Sequence, residues 1–433
     1  MADYTYEAAV EFFHQMPHFV PPKEGGAKKD YFTLDAEMAL LEALDHPEQK
    51  LRFVHVAGTN GKGSTCAYLA NMLKESGYKT GSFTSPYLYR YNEMMRINGE
   101  DISDEEFGRV FTRVKKAYDQ VLARGFSPSE YEILTVMGFV YFLQQGCDLV
   151  VLEVSLGGRT DTTNVIPAPQ VAVIAPISYD HTSILGNTLT EIATEKAGII
   201  KQGTVVVTAP QEAEVMEVLE QTTAAKQVLL HVAPVPTLIQ RDLRGQRFEY
   251  EGEDYVTGLL GVYQIGNAAV ALRAVDVLRQ RGYEISIEAA KRGIATTTWF
   301  GRFSLLQSHP TILVDGGHNP QGAKVLRQSL EAYFPGKKIT YVLGVLGDKD
   351  VDAMLDQLLP IAERVLTLTV PNPRALGAKE LANRIRLYGI EATEVSDVGD
   401  AMSRIRREEV VCIAGSLYLL SQVNRKDDSD KRN

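Results

Sequence analysis

The sequence predicts an α/β protein built on parallel sheets, with a larger N-terminal domain and a smaller C-terminal one. Short β-branched runs alternate with helical patterns along its 433 residues, the signature of strands joined by helical crossovers. Residues 149–154 and 171–177 are almost continuously apolar, as expected of strands covered on both faces. The alternation restarts beyond residue 300, which places the domain boundary at 296–301 and divides the chain into 1–297 and 298–433.

Taken in order, residues 53–57 read as the first strand. Gly58-Thr-Asn-Gly-Lys-Gly-Ser-Thr65 follows, then a helix with apolar positions at Cys66, Leu69, Met72 and Leu73 and a stop at Gly77. Residues 204–208 are a further strand. Thr188-Leu-Thr-Glu191 has the pattern of a capping box and opens a helix. Leu189, Ile192, Ala193, Ile199 and Ile200 make its apolar stripe. In the second series, 311–315, 339–346, 365–370 and 409–414 read as strands, with helices starting near Gly322, Val351 and Lys379. The polar tail 425–433 is expected to fray. No internal repeat or low-complexity tract is visible.

Composition narrows the class. A net charge of -10 and a pI near 5.4 argue against a non-specific nucleic-acid binder, although a local basic pocket can still hold an anion. Cys66, Cys147 and Cys412 form no CxxC pair, which suits a reducing cytosol. The acidic start lacks the features of a signal peptide, and no run approaches the roughly 20 apolar residues that span a bilayer. The expectation is a cytoplasmic protein with neither nucleic-acid nor membrane partners.

The chemistry gathers at strand ends, where open parallel sheets collect ligands. Gly58, Gly61 and Gly63 lie between a strand and a helix, so backbone N–H groups can surround phosphate oxygens. Lys62 adds a point charge, and Ser64 or Thr65 can reach a metal or phosphate. The spacing differs from G-x-x-x-x-G-K-[ST], and by itself it names a nucleotide phosphate, not a reaction. Glu153 ends the apolar run 149–154 and precedes Gly157-Gly-Arg159. It is a magnesium ligand or a structural partner of Arg159. Asp180 and His181 follow the run 171–177; His181 is a ligand, a helix cap or a core histidine. Lys196 falls within the apolar stripe, so it is paired, chemically modified or snorkelling to solvent. Beyond the boundary, Asp315-Gly-Gly-His-Asn-Pro320 again ends a strand, and Arg302 could hold phosphates with its planar fork.

Together these motifs resemble the folylpolyglutamate synthase and dihydrofolate synthase family of the Mur ligase superfamily. The resemblance rests on Gly58–Thr65, Leu152-Glu-Val-Ser-Leu-Gly-Gly-Arg159, Asp180-His181 and Glu195-Lys-Ala-Gly-Ile199. It continues through Gln264, Asn267-Ala-Ala269, Gly301-Arg302, Asp315–Pro320, Gly347-Asp-Lys-Asp350 and Gly415-Ser-Leu-Tyr418. It implies a Mur-ligase-like fold, with a phosphate-loop and folate-binding N-terminal domain and a Rossmann-like glutamate-ligase domain. By resemblance, Thr59, Asn60, Gly61, Lys62, Gly63 and Ser64 cradle ATP, and Asn267, Arg302 and Asp315 contact it. Ser85, Glu153 and His181 hold Mg2+, and Lys196 is the lysine that becomes carbamylated. Lys62, Lys196 and His181 are then the catalytic set. The implied reaction adds L-glutamate to the glutamate tail of a reduced folate, tetrahydrofolate, through an acyl phosphate made from ATP. Lys62, Arg302 and magnesium stabilise the transferring phosphoryl group, domain closure shields the acyl phosphate from water, and the protein is a monomer.

The chain departs from the family pattern at Ser85-Pro-Tyr-Leu88, where His is common at the third position. It has Glu153-Val-Ser155 for Glu-Val-Gly, and Asp315-Gly-Gly-His318 for Asp-Gly-Ala-His. Residues 32–37 offer no counterpart to the Gly-Leu-x-Arg element that helps hold the pterin in some members, so activity on dihydropteroate stands as a separate question. A ligase for another carboxylic acid and a phosphate-loop NTPase are the competing readings.

Overall fold

The computed structural model describes residues 3–16 and 33–423; the tail 425–433 and Phe32 lie outside the described residues. The chain forms two compact units that do not follow a single cut. Described residues up to Pro236, with Gly266–Thr296, form one; Thr237–Ile265 and residues from Thr297 onward form the other.

The first unit is built on an eight-stranded sheet. Its strands are β1 (Phe53–Ala57), β2 (Thr80–Phe83), β3 (Met95–Ile97), β4 (Glu100–Asp101), β5 (Leu149–Glu153), β6 (Val171–Ile174), β7 (Val206–Thr208) and β8 (Leu230–Val232), in the order β4-β3-β2-β5-β1-β6-β7-β8. From β2 to β8 all neighbours are parallel, while β3 and β4 pair antiparallel at one edge. β1, β5 and β6 are buried at every position, which is why their sequences show no alternation. The 171–177 run stops early as a strand because Pro176 has no N–H to give the ladder. One side of the sheet packs Phe53, Phe83 and Leu152 on the helices Asp104–Ala123 and Glu130–Gln144 through Phe107, Phe111, Phe139 and Phe142. Full burial of each such side chain is worth about 1.5–3 kcal/mol. A second cluster packs Ile174 and Val206 on Ile192, Ala193, Val215 and Leu219.

The capping box appears as read: Thr188 and Glu191 exchange hydrogen bonds at the start of the helix Leu189–Ala197. That helix ends before Ile199 and Ile200, which are buried just beyond it and continue the apolar stripe without being helical.

In the second unit, β9 (Thr237–Asp242), β10 (Gly245–Tyr250) and β11 (Glu253–Thr257) form an antiparallel meander. The sequence reading offered no strands here: β9 is exposed over Thr237–Gln240 and carries no alternation, but β10 buries alternate residues Gln246, Phe248 and Tyr250, a period-2 signal that was open to reading. The segment joins this unit through its own anchors: Leu260 lies in the same apolar cluster as Phe303 and Leu330, and the Val262 N–H donates to Ser329 Oγ at 3.1 Å. The main sheet comprises β12 (Ser304–Ser308), β13 (Thr311–Asp315), β14 (Ile339–Leu343), β15 (Ala362–Thr367), β16 (Glu391–Glu394) and β17 (Val410–Ala414). Its order is β12-β13-β17-β14-β15-β16, parallel except at β12. Helices Pro320–Tyr333, Val351–Leu358 and Ala378–Leu387 occupy the expected places.

Candidate active site

β1 is flanked by β5 and β6, with Val56 in register with Glu153 and Ala57 with Ile174. The phosphate-type loop, Glu153 and the segment after β6 therefore leave the sheet side by side. Gly61 has φ +83° and opens the helix Lys62–Glu75, whose first N–H groups have no carbonyl within the helix. A Cβ on Gly61 would lie 2.4 Å from Asn267 Oδ1, so Asn267 is seated against the loop. The Thr59 and Asn60 N–H groups both donate to the Pro176 carbonyl, at 2.9 and 3.2 Å. These bonds dock the loop on the 176–178 segment. Lys62 Nζ donates to the Thr59 carbonyl at 3.2 Å. Thr65 Oγ1 is buried without a hydrogen-bond partner among the described residues.

Glu153 is 5% exposed. Its Oε2 accepts from the Ser85 N–H at 3.3 Å, because β2 runs beside β5 and delivers Ser85 to the end of that strand. Arg159 does not pair with Glu153: its Nη2 bonds Glu195 Oε1 at 2.6 Å, which removes the structural alternative for Glu153. Among the described residues no three His, Cys, Asp or Glu side chains gather into a metal cluster.

Lys196 is 4% exposed and its Nζ donates to the Gly58 carbonyl at 2.9 Å. Snorkelling is excluded by that burial. Desolvation, then the neighbouring Lys62 charge, lowers the ammonium to about 7, against the opposing pull of Asp180 and Asp161. The helix carrying Lys196 is locked to the loop after β5. The Arg159 N–H donates to the Glu195 carbonyl at 2.8 Å, and a Cβ on Gly198 would fall 2.4 Å from Arg159 Cα.

His181 occupies the N-cap of the short helix Thr182–Leu185 but makes no side-chain cap bond. Its side chain is 42% exposed, with Nε2 3.8 Å from Asp180 Oδ1, so it is not a core histidine.

In the second unit Asp315 ends β13 and is 3% exposed. Its carboxylate accepts from the Phe303 N–H (2.8 Å), the Gly317 N–H (2.8 Å) and the Tyr263 hydroxyl (3.0 Å). Burial raises its pKa, while the Arg302 charge and these hydrogen bonds oppose the rise. Asp315 thus shapes the turns at 301–303 and 315–317 around Arg302, whose Nη1 donates to the Gly301 carbonyl at 3.1 Å.

Two residues of the first unit escaped the sequence reading. Asp161 binds the N–H groups of Ser155 (3.0 Å), Leu156 (2.8 Å) and Thr163 (3.0 Å), which fixes the loop behind Glu153. An Asp two residues before Thr163 is an Asx-turn signal that was open to reading. Tyr131 places its hydroxyl 3.1 Å from Ser85 Oγ; nothing in its local sequence announces that contact.

Comparison with known proteins matches residues 56–275 to the Mur ligase middle domain and residues 301–417 to the Mur ligase glutamate ligase domain. The chain is 38% identical over 402 residues to the dihydrofolate synthase/folylpolyglutamate synthase of Bacillus subtilis (strain 168), covering 89% of this chain and 93% of that protein. Its structure is similar to folylpolyglutamate synthase from Thermotoga maritima, with a TM-score of 0.83, 30% identity and coverage of 96% and 95%. It is also similar to Mycobacterium tuberculosis folylpolyglutamate synthase complexed with ADP and AMPPCP, with a TM-score of 0.82, 31% identity and coverage of 90% and 94%.

Proposed function

This chain belongs to the Mur ligase family, in its folylpolyglutamate and dihydrofolate synthase branch, and on that premise we propose how its residues serve the reaction. It is an ATP-dependent ligase that adds L-glutamate to a folate. The observation that carries this reading beyond nucleotide binding is Lys196, a buried amine bonded to the first glycine of the phosphate loop. An NTPase has no use for it.

The amides of Gly61 to Ser64 and the Lys62 ammonium receive the ATP phosphates, with Asn267 holding the loop from behind. In the second unit Arg302 is the cation for ATP, and Asp315 sets its turn. The Ser85 hydroxyl and the Glu153 carboxylate are hard oxygen ligands suited to magnesium, which takes few protein ligands and keeps water and phosphate oxygens. The unpartnered Thr65 Oγ1 beside the loop suits the same polar occupant, and His181 is the third proposed ligand. When bound, magnesium would offset charge on the phosphates. Carbamylated Lys196 would add a carboxylate where the free side chain offers an amine.

A carboxylate oxygen of the folate's glutamate tail attacks the γ-phosphorus, the bond to the β–γ bridging oxygen breaks, and ADP leaves. The amine of L-glutamate then attacks the acyl carbon of the acyl phosphate. Phosphate departs, the nitrogen loses a proton, and an amide remains. Lys62 stabilises the charge on the phosphoryl group in transit. No described helix is long and apolar enough to cross a membrane; a cytoplasmic location and a monomeric state are part of the same proposal.

The test is phosphate release from ATP and magnesium with L-glutamate and tetrahydrofolate, dihydropteroate or a blank, with mass spectrometry of products. Release that requires both glutamate and tetrahydrofolate, with a product one glutamyl unit heavier, is expected. Dependence on dihydropteroate would add the second activity despite the missing Gly-Leu-x-Arg element. Release without glutamate would overturn the ligase reading.

A further inference from the structure

Ser85 is a demanding choice of metal ligand. A neutral hydroxyl binds a cation only if its proton points away and its lone pairs point in, and a serine side chain has three staggered positions to choose from. Something must select one of them. In this chain the backbone of Ser85 is tied to Glu153, its N–H donating to Oε2 at 3.3 Å, but that bond leaves the hydroxyl free to turn.

The neighbour that can stop it is Tyr131, in the second position of the helix Glu130–Gln144, with its hydroxyl 3.1 Å from Ser85 Oγ. The ring cannot swing away easily. It leans on Phe83, the last residue of β2, at 6.1 Å between centroids, and the Thr135 hydroxyl donates to the Tyr131 carbonyl at 2.9 Å.

We infer that Tyr131 is a positioning residue that orients the Ser85 hydroxyl for magnesium. The polarity follows from the chemistry. Coordination withdraws density from Ser85 Oγ and makes its hydrogen a better donor, so the phenol oxygen accepts from Ser85. Both lone pairs of Ser85 are left facing away from the ring. The inference rests on the reading of Ser85 as a metal ligand, and its test separates the two.

The experiment measures Mn2+ binding to the full chain with ADP by electron paramagnetic resonance, together with the Mg2+ concentration that half-saturates turnover. It uses Tyr131→Phe, Ser85→Ala and the double variant. Tyr131→Phe keeps the ring and deletes one oxygen, so its melting transition serves as the folding control. We expect Tyr131→Phe to raise both metal concentrations about tenfold, the lower end of what loss of a ligand's supporting partner costs. Turnover recovers at high Mg2+. In the double variant Tyr131→Phe adds nothing to Ser85→Ala, because its effect passes through the serine. If Ser85→Ala raises the metal requirement and Tyr131→Phe does not, or if the two effects add in full, the Tyr131 assignment is overturned while the ligand reading stands. If Ser85→Ala leaves metal binding unchanged, Ser85 is no ligand and the inference falls with that reading.

Discussion

The amine of Lys196 gives the strongest quantitative handle on the site. Its burial and the Lys62 charge bring it to about 7, whereas an ordinary lysine titrates near 10.4. With a midpoint at about 7, roughly one Lys196 in ten is neutral at pH 6, about half at pH 7 and about nine in ten at pH 8. An ordinary lysine at pH 7 is neutral in fewer than about one molecule in a thousand. Only the neutral amine attacks CO2, forming a nitrogen–carbon bond and releasing one proton to leave a carbamate. At fixed dissolved CO2 the initial rate of carbamate formation should therefore rise about tenfold from pH 6 to pH 8 and level off above. The assay is 13C nuclear magnetic resonance of protein equilibrated with labelled CO2, with Lys196→Met as the blank. Absence of a Lys196-dependent signal across this range, or a rise centred near 10, would refute the reasoning. Stability carries the same signature. Between about pH 7 and about 10.4 the unfolded chain holds more protons than the folded one, so the free energy of unfolding rises with pH. The cost of burying the ammonium is fully present below pH 7. The melting midpoint of Lys196→Met minus that of the unaltered protein should thus fall as pH is raised from about 6 to about 9.

Further outcomes follow from the same contacts. Gly61→Ala places a side chain at φ +83° and 2.4 Å from Asn267 Oδ1; the backbone cost alone, about 1–2 kcal/mol, should appear as that loss of stability in denaturant unfolding. Asp315→Asn turns one of the two acceptor oxygens into an NH2 donor that faces the N–H of either Phe303 or Gly317, and denaturant unfolding should show a loss of about 1–3 kcal/mol. Lys196→Ala should remove most turnover in the phosphate-release assay while far-ultraviolet circular dichroism stays unchanged; near-normal turnover would dispose of the carbamate.

What could be read along the chain was whatever leaves a local period or a local anomaly. β1, β5 and β6 were visible because strands covered on both faces must be apolar throughout. Glu153 and Lys196 stood out because each breaks such a run. β9 stayed hidden because Thr237–Gln240 faces solvent at every position, and a strand without a buried face prints no pattern; the alternation of Gln246, Phe248 and Tyr250 in β10 was legible and went unread. Partners are a different matter. Lys196 meets Gly58 across 138 residues of chain, and Tyr131 meets Ser85 across 46. No window of sequence contains both members of either pair. Each meeting depends on the order of strands in the sheet: β5 lies between β1 and β2, so the loop bearing Ser85 and the loop bearing Gly58 end on either side of Glu153. Had β2 paired directly with β1, Ser85 would stand beside the phosphate loop and Glu153 would lie on the far side of one of them. The sheet order is therefore what sets a carboxylate between the hydroxyl and the phosphate loop.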